Sequence, residues 1–259
     1  GIYDLDKDEF RNGEPEDYVS FSTRNDFIPF DENNSEHIEI QKEINDFMDQ
    51  IFPDTELKRY MWEHAASILY GVNINQKFTI YTGCGSNGKS VWVDLLNGIL
   101  GEYADKLDIA LMTQKRGKAG GPSPEITKLK GKRFVSMDEP SAGDQLNEGI
   151  MKQYTGGDEI TGREMYGRRP IKFKPQFELI CCTNRLFEIN STDKGTWRRI
   201  RQVDFKAEFV DEEVYKVKEE LGLCNDPNNP IYKKLDPSVM KDKLQRWIPI
   251  FTQLLIQKF

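Results

Sequence analysis

Histidine is scarce in this chain of 259 residues. Only His37 and His64 occur, so chemistry centred on imidazole has little material. Both read as surface or half-buried side chains. The four cysteines, Cys84, Cys181, Cys182 and Cys224, show no C-x-x-C spacing. That argues against a zinc cage or a disulfide framework and fits a reducing, intracellular compartment. No apolar run approaches the roughly 18 residues that a bilayer crossing needs, so no membrane partner is expected. Internal repeats and low-complexity tracts are missing as well. The first residue is Gly1 rather than Met, and the apolar pattern at the far end meets no stop signal. A piece of a longer chain is the expectation.

A general coat of positive charge is also lacking, but the charge is uneven. Residues 1–60 carry 17 acids and 6 bases, whereas the remaining 199 carry 26 acids and 30 bases. A polyanion should therefore meet the second part of the chain.

What is present divides into three stretches: 1–76, 77–206 and 207–259. Residues 1–35 are polar and predict an extended or loosely ordered lead-in. "SEHIEIQKEINDFMDQIF" predicts a helix capped by Ser35. At helical spacing it places Ile40, Ile44, Phe47, Met48 and Ile51 on one stripe and leaves Ile38 outside. "DTELKRYMWEHAASILYG" predicts a second helix, capped by Asp54 and ended by Gly71. From Lys77 short apolar runs alternate with helical patterns. The strand candidates are "KFTIYTG", "KRFVSMDE", "FELICCTN" and "RIRQVDF", the last read as the final strand. A helical stretch near 144–154 and an alternating segment over 158–174 lie between them. Strand–helix repetition of this kind predicts an α/β fold with a parallel sheet covered on both faces. The remainder, "VDEEVYKVKEELGL" and "PSVMKDKLQRWIPIFTQLLIQKF", reads as helical. Trp62, Trp92, Trp197 and Trp247 read as core or interface packing.

Gly83-Cys84-Gly85-Ser86-Asn87-Gly88-Lys89-Ser90 fits G-x-x-x-x-G-K-[ST]. Glycines let backbone amides curl around phosphate oxygens, and the helix opening at Lys89 aims its positive end at the same point. Lys89 would reach the terminal phosphates of a nucleoside triphosphate, and the Ser90 hydroxyl would ligand Mg²⁺. "RFVSMDEP" ends an apolar run on Asp138 and Glu139. Asp138 would hold the Mg²⁺, directly or through water, and Glu139 would orient and deprotonate an attacking water. The third strand emerges at Asn184, whose amide can hold that water or the γ-phosphate. "DKGTWRRIRQVDF" offers Arg198 and Arg199 beside the last of these strands. An arginine donated to a phosphoryl-transfer transition state is worth about 10³–10⁵ in rate.

Those four elements, carried by "GCGSNGKS", "LKGKRFVSMDEP", "MKQYTGGDEITGREMYGRRPIKFKPQFELICCTN" and "DKGTWRRIRQVDF", resemble the superfamily 3 helicases. More narrowly, they are similar to the poxvirus-type primase–helicase family of large DNA viruses and phages. The resemblance covers about residues 77–206, and more weakly a helical collar before them. It implies an AAA+-like P-loop NTPase that uses ATP and Mg²⁺, assembles as a homo-hexamer and moves 3′ to 5′ on single-stranded or forked DNA. It also implies a primase domain elsewhere in the full-length protein, and a place at a viral replication site or in the cytoplasm of an infected cell. One arginine, Arg198 or Arg199, would act on the neighbouring subunit's nucleotide.

"EITGREMYGRRPIKFKP" would be the hairpin of the central channel. Tyr166, Arg168 and Arg169 stand at its tip and Lys172 on its return, a combination suited to phosphate contact and base stacking without sequence reading. "TQKRGKAGGPSP" adds Lys115, Arg116 and Lys118, either as a second channel loop or as a disordered one. Two other classes stay open. A P-loop kinase of a small molecule would label an acceptor other than water. A nucleotide-cemented replication scaffold would form rings without turnover.

Overall fold

Buried apolar runs and helix stripes pull the chain into a layered α/β structure, seen in a computed structural model that describes residues 1–114, 121–225 and 231–258. A small hairpin, β1 (Ile2–Asp4) with β2 (Glu9–Arg11), opens it. Helices α1 (Ser35–Ile51) and α2 (Thr55–Ile68) follow. The predicted stripe of α1 is the buried one, and Ile38 is exposed. The cap is Asn34 rather than Ser35: its side-chain oxygen accepts from the N–H groups of Glu36 at 2.9 Å and His37 at 3.4 Å. Asp54 caps α2 as expected, accepting from Leu57 N–H at 2.8 Å.

The central elements are β3 (Phe78–Thr82), α3 (Lys89–Leu100), β4 (Ala104–Leu107), α4 (Ala110–Thr113), α5 (Pro124–Thr127) and β5 (Phe134–Met137). Next come α6 (Glu148–Thr155), the antiparallel pair β6 (Ile160–Gly162) and β7 (Ile171–Phe173), β8 (Glu178–Thr183), α7 (Lys194–Trp197) and β9 (Ile200–Asp204). Five strands form one parallel sheet in the order β4-β5-β8-β3-β9. Every residue of β3 and β5 is buried, as a sheet covered on both faces requires. Thr82 is in register with both Thr183 and Asp204, and Met137 with Cys181, so the carboxyl ends stand level.

Beyond β9 lie β10 (Ala207–Val210), α8 (Glu212–Glu220), β11 (Ile231–Lys234) and α9 (Leu244–Ile256). The expected helices are there, but β9 is not the final strand: β10 and β11 pair in parallel. Strand β4 is a second departure from the sequence pattern, because "ADKL" lacks an apolar run and sits at the sheet edge.

One face of the sheet is covered by α1, α2, α3 and α9. Trp62, Trp92 and Trp247 are buried there, with Phe47 at 5.2 Å from Trp247 and Phe251 at 4.9 Å from Trp62. Each fully buried side chain of this size contributes about 1.5–3 kcal/mol, which holds α9 against α1 although the chain joins them only distantly. Trp197 differs: it is half exposed and donates its ring N–H to Ser191 O at 2.8 Å. His64 is buried, not superficial, stacked on Tyr60 and edge-on to Tyr81.

The lead-in is extended but not loose. Asn25 donates its side-chain amide to the carbonyls of Gly98 at 2.7 Å and Ile99 at 3.2 Å, satisfying the end of α3. Ser22 and Glu102 exchange two bonds, and Phe21 packs edge-on against Tyr103.

Candidate functional site

The loop 83–90 leaves the carboxyl end of β3 and turns straight into α3. Gly83 (φ +147°) and Gly88 (φ +83°) adopt left-handed backbone. A Cβ on Gly83 would lie 2.4 Å from Asn87 Nδ2, and one on Gly88 would lie 2.8 Å from Ile51 Cγ2. Gly85 meets open space. From outside, Phe209 N–H on β10 donates to Ser86 O at 2.7 Å and fixes the loop's far wall. Asn87 is buried. Its oxygen accepts from Lys89 N–H at 3.3 Å, while its Nδ2 has no partner. A buried amide donor without an acceptor, facing a loop of this shape, suits an anionic oxygen.

Lys89 is also largely buried. Its Nζ donates to Gly83 O at 2.6 Å and to Asn184 Oδ1 at 3.0 Å. Burial holds its pKa below the usual lysine value, with Glu139 among the charges that oppose this. At the tip of β8, Asn184 donates twice to Glu139: from the backbone N–H to Oε1 at 3.0 Å and from Nδ2 to Oε2 at 3.3 Å. Strand β8 lies between β3 and β5, which brings Lys89, Asn184 and Glu139 into one linked row although Asn184 comes last of the three in the chain. Asp138 is exposed and pairs with Lys106 Nζ at 2.7 Å. No motif announces Lys106, because its strand carries no apolar run. Ser90, one residue into α3, is exposed.

Beside the loop is a cavity of about 300 Å³ lined by Phe47, Ser86, Lys89, Val91, Phe209 and Val239. Its apolar walls come from α1, β10 and the approach to α9, so no local stretch of sequence announces it.

The two arginines are not in this group. Arg199 O accepts from Phe78 N–H at 2.7 Å, which puts the pair at the amino end of the sheet. A five-residue strand separates the two edges, roughly 16 Å at about 3.3 Å per residue. Arg198 is exposed, with Nη2 donating to Gln76 Oε1 at 2.8 Å. Arg199 is held: Nη1 donates to Gly195 O at 2.8 Å, Nη2 lies 3.5 Å from Gln76 Oε1, and Nε is buried.

The alternating segment folds as the expected hairpin, with Ile160 opposite Phe173 and Gly162 opposite Ile171. Tyr166 stands at its tip, 96% exposed and at φ +65°, flanked by exposed Arg168 and Arg169. Lys172 is 3.6 Å from Glu159. Lys115, Arg116 and Lys118 lie outside the described residues.

Comparison with known proteins adds a lineage. Residues 81–199 match a family described as one of unknown function (DUF5906). The chain aligns along its whole length, at 39% identity, with a protein of Acanthamoeba polyphaga mimivirus named as a helicase (L207/L206), covering 26% of it. It aligns at 32% identity with a protein of Invertebrate iridescent virus 6 named as a helicase (184R), again over the whole chain and 26% of that protein. At 27% identity, 82% of the chain aligns with 20% of the African swine fever virus protein named as primase C962R. The chain belongs to this viral primase–helicase family. It spans about a quarter of the length of these family members. Among solved structures, the apo NrS-1 C terminal region superposes with a TM-score of 0.57 at 15% identity, over 89% of this chain and 47% of that one. At that identity the likeness concerns the fold, an α/β architecture with a parallel central sheet of the P-loop NTPase kind.

Proposed function

We propose that the chain is the motor of a viral replication helicase: an AAA+-like, superfamily 3 ATPase. It hydrolyses ATP at the subunit interfaces of a hexameric ring and moves along single-stranded DNA. The observation that carries this reading is the split between two edges. Lys89, Asn184 and Glu139 are linked at the carboxyl end of the sheet, and Arg198 and Arg199 lie at the other. In this reading Arg198 or Arg199 serves the pocket of a neighbouring copy, since neither reaches the pocket of its own chain.

In this mechanism the amides of residues 83–90 and the start of α3 hold the phosphates, with the Asn87 amide as a further donor. Lys89 gives up its bond to Gly83 O and turns to the terminal phosphate. The nucleobase occupies the apolar cavity between Phe47, Phe209 and Val239. Ser90 and Asp138 would hold Mg²⁺, which supplies positive charge against the phosphate oxygens. Glu139, kept in orientation by its two bonds from Asn184, takes the proton of a water whose oxygen attacks the γ-phosphorus. The bond from that phosphorus to the bridging oxygen breaks as the new one forms. Arg198 of the next subunit neutralises charge on the transferring group.

DNA is gripped by the hairpin tip, Tyr166, Arg168 and Arg169, with Lys172 behind. Lys115, Arg116 and Lys118 belong to the same basic side of the sequence. Helices α1 and α2 act as the collar, a primase domain belongs to the rest of the protein, and the setting is the cytoplasm at viral replication sites. Light scattering with and without a non-hydrolysable ATP analogue and oligo-dT tests the ring: nucleotide-dependent growth to six copies is expected. A monomer under all conditions, with DNA-indifferent ATPase, refutes it.

A further inference from the structure

Gln76 occupies the turn between α2 and β3 with φ +54°, a left-handed backbone that is uncommon outside glycine. The turn is fixed from within. Gln76 N–H donates to Asn73 O at 3.3 Å, and the Asn73 side chain donates to Phe177 O at 3.2 Å and accepts from Lys77 N–H at 3.2 Å. Held this way, the Gln76 side chain bridges the end of α6 to the arginine pair. Its Nε2 donates to Gly156 O at 2.9 Å, and its Oε1 accepts from Arg198 at 2.8 Å and lies 3.5 Å from Arg199 Nη2. Lys77 adds a bond from Nζ to Arg198 O at 2.5 Å.

Gly156 is where the basic hairpin begins. It ends α6, Gly157 follows at φ +76°, and three residues later the chain enters β6. A Cβ on Gly156 would meet Lys152 O at 2.5 Å, so this root tolerates no side chain as it stands. Helix α6 is fastened to α7 further back, through Glu148 with Ser191 and Thr196 and through Lys152 with Asp193. Tyr154 and Thr155 are buried beyond those bonds, and at the very end of the helix Gln76 adds its own bond to the Gly156 carbonyl.

We infer that Gln76 is a positioning residue that couples the hairpin β6–β7 to Arg198, so that a polymer displacing the hairpin root resets the arginine offered to the neighbouring pocket. This rests on the motor reading above. Its physical basis is one amide bonded in two directions: a shift of the Gly156 carbonyl reorients the Oε1 that holds the guanidinium. Nothing in the sequence marks it, since Gln76 belongs to no motif.

The substitutions Gln76→Glu and Gln76→Met separate its two bonds. Glutamate keeps an acceptor for Arg198 but has no N–H for Gly156 O. Methionine keeps the length and loses both. ATPase is measured with and without saturating oligo-dT, and acrylamide quenching follows Trp197, because Trp62, Trp92 and Trp247 are buried from the quencher. In the wild type, oligo-dT is expected to raise turnover and change the quenching of Trp197. In both variants the ratio of stimulated to basal turnover falls at least about fivefold, the lower end of measured coupling between sites. The Trp197 response disappears, and the nucleotide-free affinity for oligo-dT stays within about twofold. Variants that keep the wild-type ratio and the Trp197 response overturn the coupling alone. A wild type that does not bind oligo-dT overturns the motor reading, and the coupling with it.

Discussion

Asn184 grips Glu139 at both carboxylate oxygens, at 3.0 and 3.3 Å, while its own side-chain oxygen accepts from Lys89 at 3.0 Å. A carboxylate fixed in this way can take a proton from a water in one direction only. Asn184→Ala keeps the backbone donor and removes both side-chain bonds. Turnover should fall about 10²–10³-fold, the loss expected for one preorganised donor, with KM changed only a few-fold. Steady-state phosphate release measures this. A fall in affinity with unchanged kcat would assign Asn184 to binding instead. In the same assay Glu139→Gln and Lys89→Ala should both release almost no phosphate, and equilibrium binding of a fluorescent ATP analogue should separate them, Glu139→Gln keeping the nucleotide and Lys89→Ala losing it.

The two arginines should part company. Arg198 is exposed and bonded by one nitrogen to Gln76, whereas Arg199 has a buried Nε and a bond to Gly195 O. Arg198→Ala is expected to lower turnover about 10³-fold or more and leave the melting temperature within a degree or two. Arg199→Ala should lower the melting temperature by several degrees, because it strips partners from a half-buried turn. Mixed with wild-type subunits, Arg198→Ala should inhibit more than in proportion to its share. A strictly proportional loss would mean that each subunit uses its own arginine.

Local chemistry makes much of this readable in the sequence. The glycines at 83 and 88, the apolar run before Asp138 and the run before Asn184 each state their own geometry, and the stripe of α1 follows from helical spacing alone. What escapes depends on partners distant in the chain. Strand β4 is recognisable only by its neighbour β5. Strands β10 and β11 specify one another across an intervening helix. The cap of α1 lies one residue before the expected Ser35 because Asn34 and Ser35 have equal capping chemistry. Gln76 and Lys106 act through single side-chain bonds, which no periodicity encodes.

At the hairpin tip, charge and exposure coincide. Replacing Arg168 and Arg169 together by alanine should weaken single-stranded DNA binding by a similar factor for every sequence tested. It should also reduce the slope of log K against log salt by about 1.4, at roughly 0.7 for each phosphate no longer neutralised. Tyr166→Ala should cost about 1–3 kcal/mol of affinity with the slope unchanged, since stacking releases no counterions. Fluorescence anisotropy of labelled oligo-dT over a salt series checks both. An unaltered slope in the double-arginine variant would remove these residues from the DNA path.

Two buried groups, His64 on α2 and Glu178 on β8, are each pushed by burial towards the uncharged form, with opposite consequences for stability as pH changes. Burial lowers His64 from 6.5 to about 4 and raises Glu178 from 4.5 to about 7. Below pH 6.5 the unfolded chain protonates His64 and the fold does not, so this residue removes stability as pH falls towards 4. Above pH 4.5 the unfolded chain ionises Glu178 and the fold does not, so this residue removes stability as pH rises towards 7. Between pH 4.5 and 6.5 the slopes are opposite and largely cancel. Each substitution should unmask the other group. His64→Phe should yield a protein that loses roughly 3 kcal/mol as pH climbs from 4.5 to 7, relative to wild type over that window. Glu178→Gln should yield one that loses a similar amount as pH drops from 6.5 to 4. Urea midpoints at half-unit pH steps resolve the two profiles, and variants whose curves run parallel to wild type would show that neither group is buried uncharged.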